Sequence, residues 1–136
     1  MKAVLFEKHG RPEVLHLAEV PDPIAGPGEA VVRIKAAALN FFDTLIIAGK
    51  YQHQPAFPFS PAAEFAGVVE AIGPGVERLR PGDRVFGQIG AGAARERVAV
   101  SAEQLVAMPP GLDFDRAAGL TVVYGTTLHE IGRAHV

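Results

Sequence analysis

The sequence predicts a mainly β domain with a few helices, folded as a compact, irregular β-barrel. Short segments rich in β-forming residues recur along most of the chain, and turns that contain Pro and Gly separate them. Many short strands at this spacing are typical of a sandwich or barrel rather than of a parallel sheet. The 136 residues fit one domain, residues 1–136, which is large enough for a proper core.

Seven segments are predicted as strands because β-branched and aromatic residues are frequent in them. They are residues 4–6, 14–20, 31–38, 66–72, 84–88, 96–100 and 105–108. The turns between them include Gly73-Pro74-Gly75 and Pro81-Gly82-Asp83. Proline presets φ and the following glycine accepts a positive φ, so these Pro-Gly pairs favour type II turns.

Two further segments are predicted as helical. Residues 41–48 form a short helix candidate that Asn40 caps and Gly49 ends. Residues 113–133 are predicted as helical, with Gly119 as a point where the helix could break into two pieces, because apolar residues recur there at near-helical intervals. Val122, Val123 and Gly125 are poor helix formers and weaken this second prediction.

Composition and charge exclude several classes of protein. The net charge of −2 gives no electrostatic footprint for nucleic acid or for an anionic membrane surface. No apolar run approaches the roughly 20 residues of a membrane span. The N-terminus reaches Glu7 too soon for a secretory signal. We therefore expect no nucleic-acid partner, no membrane span and a cytoplasmic location.

The absence of cysteine bears on redox and metal chemistry. A chain with no cysteine has neither disulfides nor thiolate zinc ligands. The five histidines include no pair at the one-turn helical spacing of a metal motif. The sequence therefore predicts no metal, although a site that folding assembles from His and carboxylate side chains stays open.

Polar residues beside tight turns are the candidates for function. Asn40 and Asp43 are three residues apart and would share one face of a helical turn, where they could orient a ligand carbonyl or a ribose hydroxyl. Spacing alone favours a structural alternative, in which Asn40 caps the helix and Asp43 suits its dipole. Tyr51 either points its phenol into a cleft or lies on the surface. Glu64, among apolar neighbours, is either a buried, paired group, which we favour, or a site carboxylate with a perturbed pKa.

A glycine-rich loop at Gly87, Gly90 and Gly92 is interpreted as structural. The dinucleotide fingerprint requires the order G-x-G-x-x-G between a strand and a helix. Here the order is G-x-x-G-x-G, and a strand follows it in the prediction.

These motifs together resemble a known family. The sequence is similar to the N-terminal part of the medium-chain dehydrogenase/reductase superfamily, and within it to the zinc-free NADPH:quinone oxidoreductases, also called zeta-crystallin-like. The resemblance covers nearly the whole chain. It is carried by Ala38-Leu39-Asn40-Phe41-x-Asp43, Gly49-x-Tyr51, Ala63-Glu64-x-x-Gly67 and Gly82-Asp83-Arg84-Val85.

The resemblance implies a GroES-like catalytic domain that packs against a Rossmann domain, with the active site in the cleft between them. Nicotinamide would lie against Asn40 and the helix that begins near Thr121, and a quinone or other small electrophilic acceptor would stack above it. Tyr51 and Asn40 are then the expected catalytic residues, and Asn40, Asp43 and Thr121 the expected cofactor-binding residues. Tyr51 would donate a hydrogen bond to the developing oxyanion, and either Tyr51 or solvent would supply the proton.

The same resemblance implies NADPH chemistry without zinc. Zinc-dependent alcohol dehydrogenases resemble this framework but place a cysteine ligand at the position of Asn40 and a histidine ligand at that of Ala63. Family members continue past the position of Val136 into the Rossmann domain, so we expect this chain alone to be inactive. We also expect apolar surface near residues 122–131 to favour a homo-oligomer.

Two alternatives to a quinone reductase stay open. Enoyl-thioester reductase modules resemble the same Asn-Phe-x-Asp and Gly-Asp-Arg-Val pattern. A non-catalytic GroES-like binding or assembly module is the other alternative.

Overall fold

The computed structural model describes residues 1–134, so His135 and Val136 lie outside the described part of the predicted domain. The strands are β1 (Lys2–Leu5), β2 (His16–Glu19), β3 (Glu29–Ala38), β4 (Glu64–Ile72), β5 (Arg84–Gln88), β6 (Arg97–Ser101) and β7 (Leu105–Ala107). The helices are α1 (Phe41–Ile47), α2 (Phe114–Ala118) and α3 (Gly125–Ala134), with a π-helical turn at Leu120–Tyr124. The prediction of a mainly β chain with a few helices is therefore confirmed. None of the helices in residues 1–134 is long and apolar enough to cross a membrane.

The main sheet is antiparallel and has five strands in the order β6-β3-β4-β5-β7. If it were flat, its two edge strands would lie about 19 Å apart, since neighbouring strands are about 4.8 Å apart. Only the 3₁₀ turn Ala102–Gln104 joins β6 to β7, and a connection of that length spans at most about 14 Å. The sheet therefore curls, as the barrel prediction requires. Arg78 donates hydrogen bonds to the carbonyl oxygens of Ala102 and Leu105 at the closing corner.

A two-stranded ribbon and α1 complete one side of the molecule. β1 pairs with β2, and the ribbon is joined to the remaining structure by bridges from Ala3 to Arg95 and from Phe6 to Phe59. A second apolar cluster fills the space between these parts; its buried members are Phe6, Ile46, Ile47 and Phe59. This packing fixes α1, whose N-terminus belongs to the candidate site.

Strand β4 is packed on both faces, against the barrel core on one face and against α2 on the other. Phe65, Val69, Val85 and Leu105 are among the buried residues of the main core. On the other side of β4, small side chains allow α2 to approach closely; Ala66, Ala117 and Ala118 are buried there. The first residue of β4 and the turn after α2 are consequently held in fixed relative positions.

Local predictions held for the turns and for most strands. The glycines of the Pro-Gly pairs have positive φ, at Gly28, Gly75, Gly82 and Gly111. Gly49, with φ of 73°, follows α1 as predicted.

Two segments differ from their predictions. Residues 14–20 are not one strand: Pro12–Val14 is a 3₁₀ turn, closed by the hydrogen bond from Leu15 N to Pro12 O, and only His16–Glu19 is extended. The fixed φ of proline suits the start of such a turn. The predicted break near Gly119 is confirmed, but the π-helical turn that follows it was not predicted.

Candidate functional site

Glu64, the first residue of β4, is the centre of a hydrogen-bond cluster. It is 1% exposed. Its Oε2 accepts a hydrogen bond from Asn40 Nδ2 at 2.8 Å, and its Oε1 accepts from Thr121 Oγ1 at 2.8 Å and from Val122 N at 2.6 Å. Burial of a carboxylate is costly unless hydrogen bonds replace those lost from water. The interpretation of Glu64 as a buried, paired group is confirmed.

The cluster joins residues that are far apart in the sequence. Asn40 is the N-cap residue of α1, and Thr121 belongs to the π-helical turn after α2. Both residues are half-buried, so part of each stays accessible to solvent while its side chain bonds to Glu64. The structure therefore brings together two of the residues that the sequence singled out, through a third.

Asp43 stabilises the backbone on two sides of this cluster. It is 3% exposed; its Oδ2 accepts a hydrogen bond from Asn40 N at 2.8 Å and its Oδ1 accepts one from Ala62 N at 3.0 Å. Burial raises the pKa of this carboxyl, the charge of Glu64 acts in the same direction, and the two backbone N–H groups act against them. The capping interpretation of Asp43 is confirmed. Its predicted contact with a cofactor stays a prediction.

Ala62 has a backbone conformation that the sequence does not indicate. Its φ is 72°, a value that is uncommon for residues other than glycine and often occurs near functional sites. The residue is completely buried. Its N–H is bound to Asp43 and its carbonyl oxygen accepts a hydrogen bond from Ala93 N at 3.0 Å. This bend directs the chain into Ala63 and Glu64.

Tyr51 lies in a pocket next to the Glu64 cluster rather than among the partners of Glu64. The half-buried Tyr51 ring packs against Phe42, with the ring centroids 5.7 Å apart. The pocket has a volume of about 240 Å³ and is lined by Phe42, Tyr51, His53, Ala63, Gln88, Ile89 and Gly90. It is adjacent to the cluster because Ala63 precedes Glu64 and Gln88 pairs with Glu64 across the sheet. The sequence pattern does not single out His53 or Gln88; the local signal for His53 is its position two residues after Tyr51.

The two positions that hold zinc ligands in zinc-dependent alcohol dehydrogenases provide no such ligands here. Asn40 Nδ2 is engaged by Glu64, and Ala63 has only a methyl group. Zinc sites in proteins use thiolate, imidazole and carboxylate donors. In residues 1–134, no three His, Cys, Asp or Glu side chains are close enough together to hold a metal ion. This donor set does not fit zinc.

Apolar side chains exposed to solvent flank both polar residues. Leu39 and Phe41 lie on either side of Asn40 in the chain, and Val123 and Tyr124 follow Thr121; all four are exposed. Exposed apolar surface of this kind around a polar cluster is typical of a ligand or domain interface.

Comparison with known proteins identifies the fold family. The family described as "Alcohol dehydrogenase GroES-like domain" matches residues 26–110, which is more than half of the chain.

This chain belongs to the alcohol dehydrogenase GroES-like domain family.

The relatives of this GroES-like domain include quinone oxidoreductases. Quinone oxidoreductase of Pseudomonas aeruginosa is 40% identical over 129 residues, which are 90% of this chain and 39% of the relative. The structure of Escherichia coli quinone oxidoreductase complexed with NADPH has a TM-score of 0.87 at 32% identity, covering 96% of this chain and 40% of that one. The human synaptic vesicle membrane protein VAT-1 homolog-like protein has a TM-score of 0.92 at 31% identity, covering 96% and 42%.

These matches confirm the GroES-like fold and the resemblance to the N-terminal part of quinone oxidoreductases. The chain spans about two fifths of the length of the relatives it matches. The similarity therefore covers only the N-terminal part of these relatives and does not by itself assign the activity of a whole protein.

Proposed function

We propose that this GroES-like domain is the N-terminal, substrate-binding portion of an NADPH-dependent quinone oxidoreductase that transfers a hydride to a quinone without zinc. The observation that carries the proposal is the cluster in which Glu64 holds Asn40 and Thr121 together beside the Tyr51 pocket. The similarity to quinone oxidoreductases, one of them described in complex with NADPH, supports it.

The residues around Glu64 fit the nicotinamide end of NADPH, which would supply the hydride. A flat heteroaromatic ring with polar substituents requires an apolar surface next to a few oriented polar groups. Leu39 and Val123 provide exposed apolar surface, and Asn40 and Thr121 provide the polar groups. In this proposal Asn40 and Thr121 contact the cofactor, while Asp43 keeps Asn40 in place.

The pocket at Tyr51 fits the acceptor. Phe42 and Ile89 offer apolar contacts for a quinone ring, and its volume of about 240 Å³ suits a small acceptor. When a hydride reaches the quinone, negative charge develops on an oxygen, and the Tyr51 hydroxyl would donate a hydrogen bond to it. Reduction to the hydroquinone takes up one hydride and one proton, and Tyr51 or solvent delivers the proton.

Turnover assays test the proposal. We expect the full-length protein that carries this domain to oxidise NADPH with a quinone faster than with a crotonyl thioester, and we expect the 136-residue chain alone to be inactive. Tyr51→Phe in the full-length protein should lower kcat by roughly 10- to 100-fold and leave the KM for NADPH nearly unchanged. Faster turnover of the thioester would indicate an enoyl-thioester reductase, and no turnover of either would indicate a binding or assembly module.

The cytoplasmic location remains part of the proposal. It is supported by the composition and by the absence, in residues 1–134, of a helix able to cross a membrane.

A further inference from the structure

We propose that Glu64 is a positioning residue that fixes the hydrogen-bond polarity of the cofactor site. It makes Asn40 and Thr121 present oxygen acceptors, so that they select an N–H or O–H donor on the nicotinamide end of the cofactor. This inference rests on the proposed function and adds to it the chemical group that the site recognises.

The direction of each hydrogen bond follows from the chemistry of the partners. A carboxylate only accepts hydrogen bonds. The Val122 backbone N–H can only donate, and it shares Oε1 of Glu64 with the Thr121 hydroxyl. A hydroxyl has one hydrogen, and Thr121 uses it on Glu64. Only the lone pairs of Thr121 Oγ1 remain for a ligand.

The amide of Asn40 is oriented by the same carboxylate. Its Nδ2 donates to Oε2 of Glu64 at 2.8 Å, so its Oδ1 lies on the other branch of the planar amide, turned away from Glu64. The backbone N–H of Asn40 is bound to Asp43, which prevents the residue from shifting along the helix end. The same oxygen faces the Asp43 backbone N–H in the capping box of α1, so one of its two lone pairs remains as an acceptor for a ligand.

The two ligands differ in the hydrogen-bonding groups that they present to the protein. The nicotinamide end of NADPH carries donors, in its carboxamide NH₂ and in its ribose hydroxyls, whereas a quinone carries only carbonyl acceptors. The acceptors of Asn40 and Thr121 match the first and not the second. The neighbouring pocket is lined by Tyr51 and Gln88, residues whose hydroxyl and amide groups can donate to a quinone oxygen. Each ligand thus has one site that suits its hydrogen-bonding groups.

Cofactor analogues test this inference in the full-length protein. In the 3-acetylpyridine analogue of NADPH a methyl group replaces the carboxamide NH₂, and a second analogue lacks a hydroxyl on the nicotinamide ribose. We expect the wild type to bind one of them about 3- to 10-fold more weakly than NADPH, the loss of one hydrogen bond. The analogue that is bound more weakly identifies the donor.

Substitution of Glu64 should remove this preference. In Glu64→Gln the amide oxygen keeps Val122 N and Thr121 Oγ1 as its donors, so the introduced NH₂ faces Asn40, whose amide turns over and presents its NH₂ to the ligand. We expect the preference for NADPH over that analogue to fall to less than about 2-fold. A Glu64→Gln protein that is less stable but keeps the full preference would overturn the inference, because Glu64 would then be merely structural.

Thr121 provides a second pair of variants in case Glu64→Gln does not fold. Thr121→Val should abolish the preference and Thr121→Ser should keep it; equal behaviour of the two would contradict the inference. If the wild type reduces quinones with NADPH but binds both analogues as tightly as NADPH, this inference is wrong and the proposed function stands. A wild type that neither binds NADPH nor reduces quinones would reject the proposed function as well.

Discussion

Arg95 is one of two described residues, the other being Ser60, that have a buried side-chain polar atom without a hydrogen-bond partner. Its guanidinium Nε is buried without a hydrogen-bond partner in the described residues, and burial lowers its pKa. An unsatisfied buried donor costs about 1–3 kcal/mol. Because methionine keeps most of the side-chain length without the charge, we expect Arg95→Met to raise the free energy of unfolding by about 1 kcal/mol, measured by urea denaturation.

Arg97 provides a matched control for this prediction. Its Nε donates a hydrogen bond to Glu70 Oε2 at 2.7 Å. We therefore expect Arg97→Met to lower stability slightly. Equal losses of stability in both variants would show that the Arg95 Nε–H is not an unsatisfied donor.

Asp43 should affect stability in a pH-dependent way. Asp43→Asn replaces one acceptor oxygen by an NH₂ group that faces a backbone N–H, so we expect it to destabilise the chain. Since burial raises the pKa of Asp43 in the folded state, the neutral acid is the form that folding favours. The contribution of Asp43 to the free energy of unfolding is largest below the pKa of about 4 that an aspartate has in the unfolded chain. It falls as the pH rises through the raised pKa of the folded chain.

Urea denaturation of wild type and Asp43→Asn between about pH 3 and pH 7, which brackets the ordinary carboxyl pKa, measures this effect. The difference between them isolates Asp43 from the other carboxylates. We expect the difference to be largest at acid pH and to shrink as the pH rises. A difference that grows with pH would mean that the two backbone N–H groups outweigh burial.

At this scale the sequence indicated individual residues but not how they meet. The roles of Asn40 and Asp43 at the end of α1 depend on local spacing, and the spacing predicted them. The contact of Glu64 with Thr121 joins residues separated by 57 positions, and no local pattern records it. The positive φ of Ala62 is equally hidden, because it depends on Asp43 and Ala93.

Among the elements, the pairing of β3 with β4 depends on Gly67. A Cβ atom at this position would overlap the carbonyl oxygen of Arg33 and lie 2.9 Å from Val32 Cγ1. Gly67 lies next to the register shift between Ile34 and Ala36. Because backbone atoms cannot move aside cheaply, we expect Gly67→Ala to lower the free energy of unfolding by about 3 kcal/mol or more.

Gly125, at the start of α3, is the control for this glycine. It has helical φ and ψ of −63° and −43°, and nothing lies within 4 Å of the position of a Cβ atom. Gly125→Ala should therefore stabilise the chain by about 0.5–1 kcal/mol. Similar effects of the two substitutions in thermal and urea denaturation would contradict the close approach at Gly67.

The elements that the sequence predicted are those with local causes. Strands β3 to β7 follow their β-forming composition, and α1 follows its cap and the glycine after it. The π-helical turn is different, because the N–H of Val122 binds Glu64, 58 positions away. A prediction from local propensity has no access to that acceptor.

For the whole molecule, turn spacing was sufficient to predict the fold class. Frequent Pro-Gly turns leave room only for short strands, and short antiparallel strands need a curled sheet to enclose a core. The closing corner was not predictable, because Arg78 is an exposed residue whose carbonyl partners come from a separate segment. The overall architecture therefore follows from local signals, while the contacts that close it do not.

Association should occur through an apolar stripe on the last helical segment. Tyr124, Leu128 and Ile131 are spaced to lie on one helix face, and they are 66%, 72% and 52% exposed. Burial of apolar surface favours self-association. We expect the average mass of this chain to rise with concentration in sedimentation equilibrium.

Two charge substitutions separate this stripe from exposed apolar residues in general. Leu128→Glu interrupts the stripe, so it should keep the chain monomeric at concentrations where the wild type associates. Ile24→Glu changes a more exposed residue, 87% exposed, outside the helix, and should leave association unchanged. A wild type that stays monomeric at its solubility limit would contradict the prediction. An equal effect of both substitutions would also contradict it, because net charge rather than the helix face would then control association.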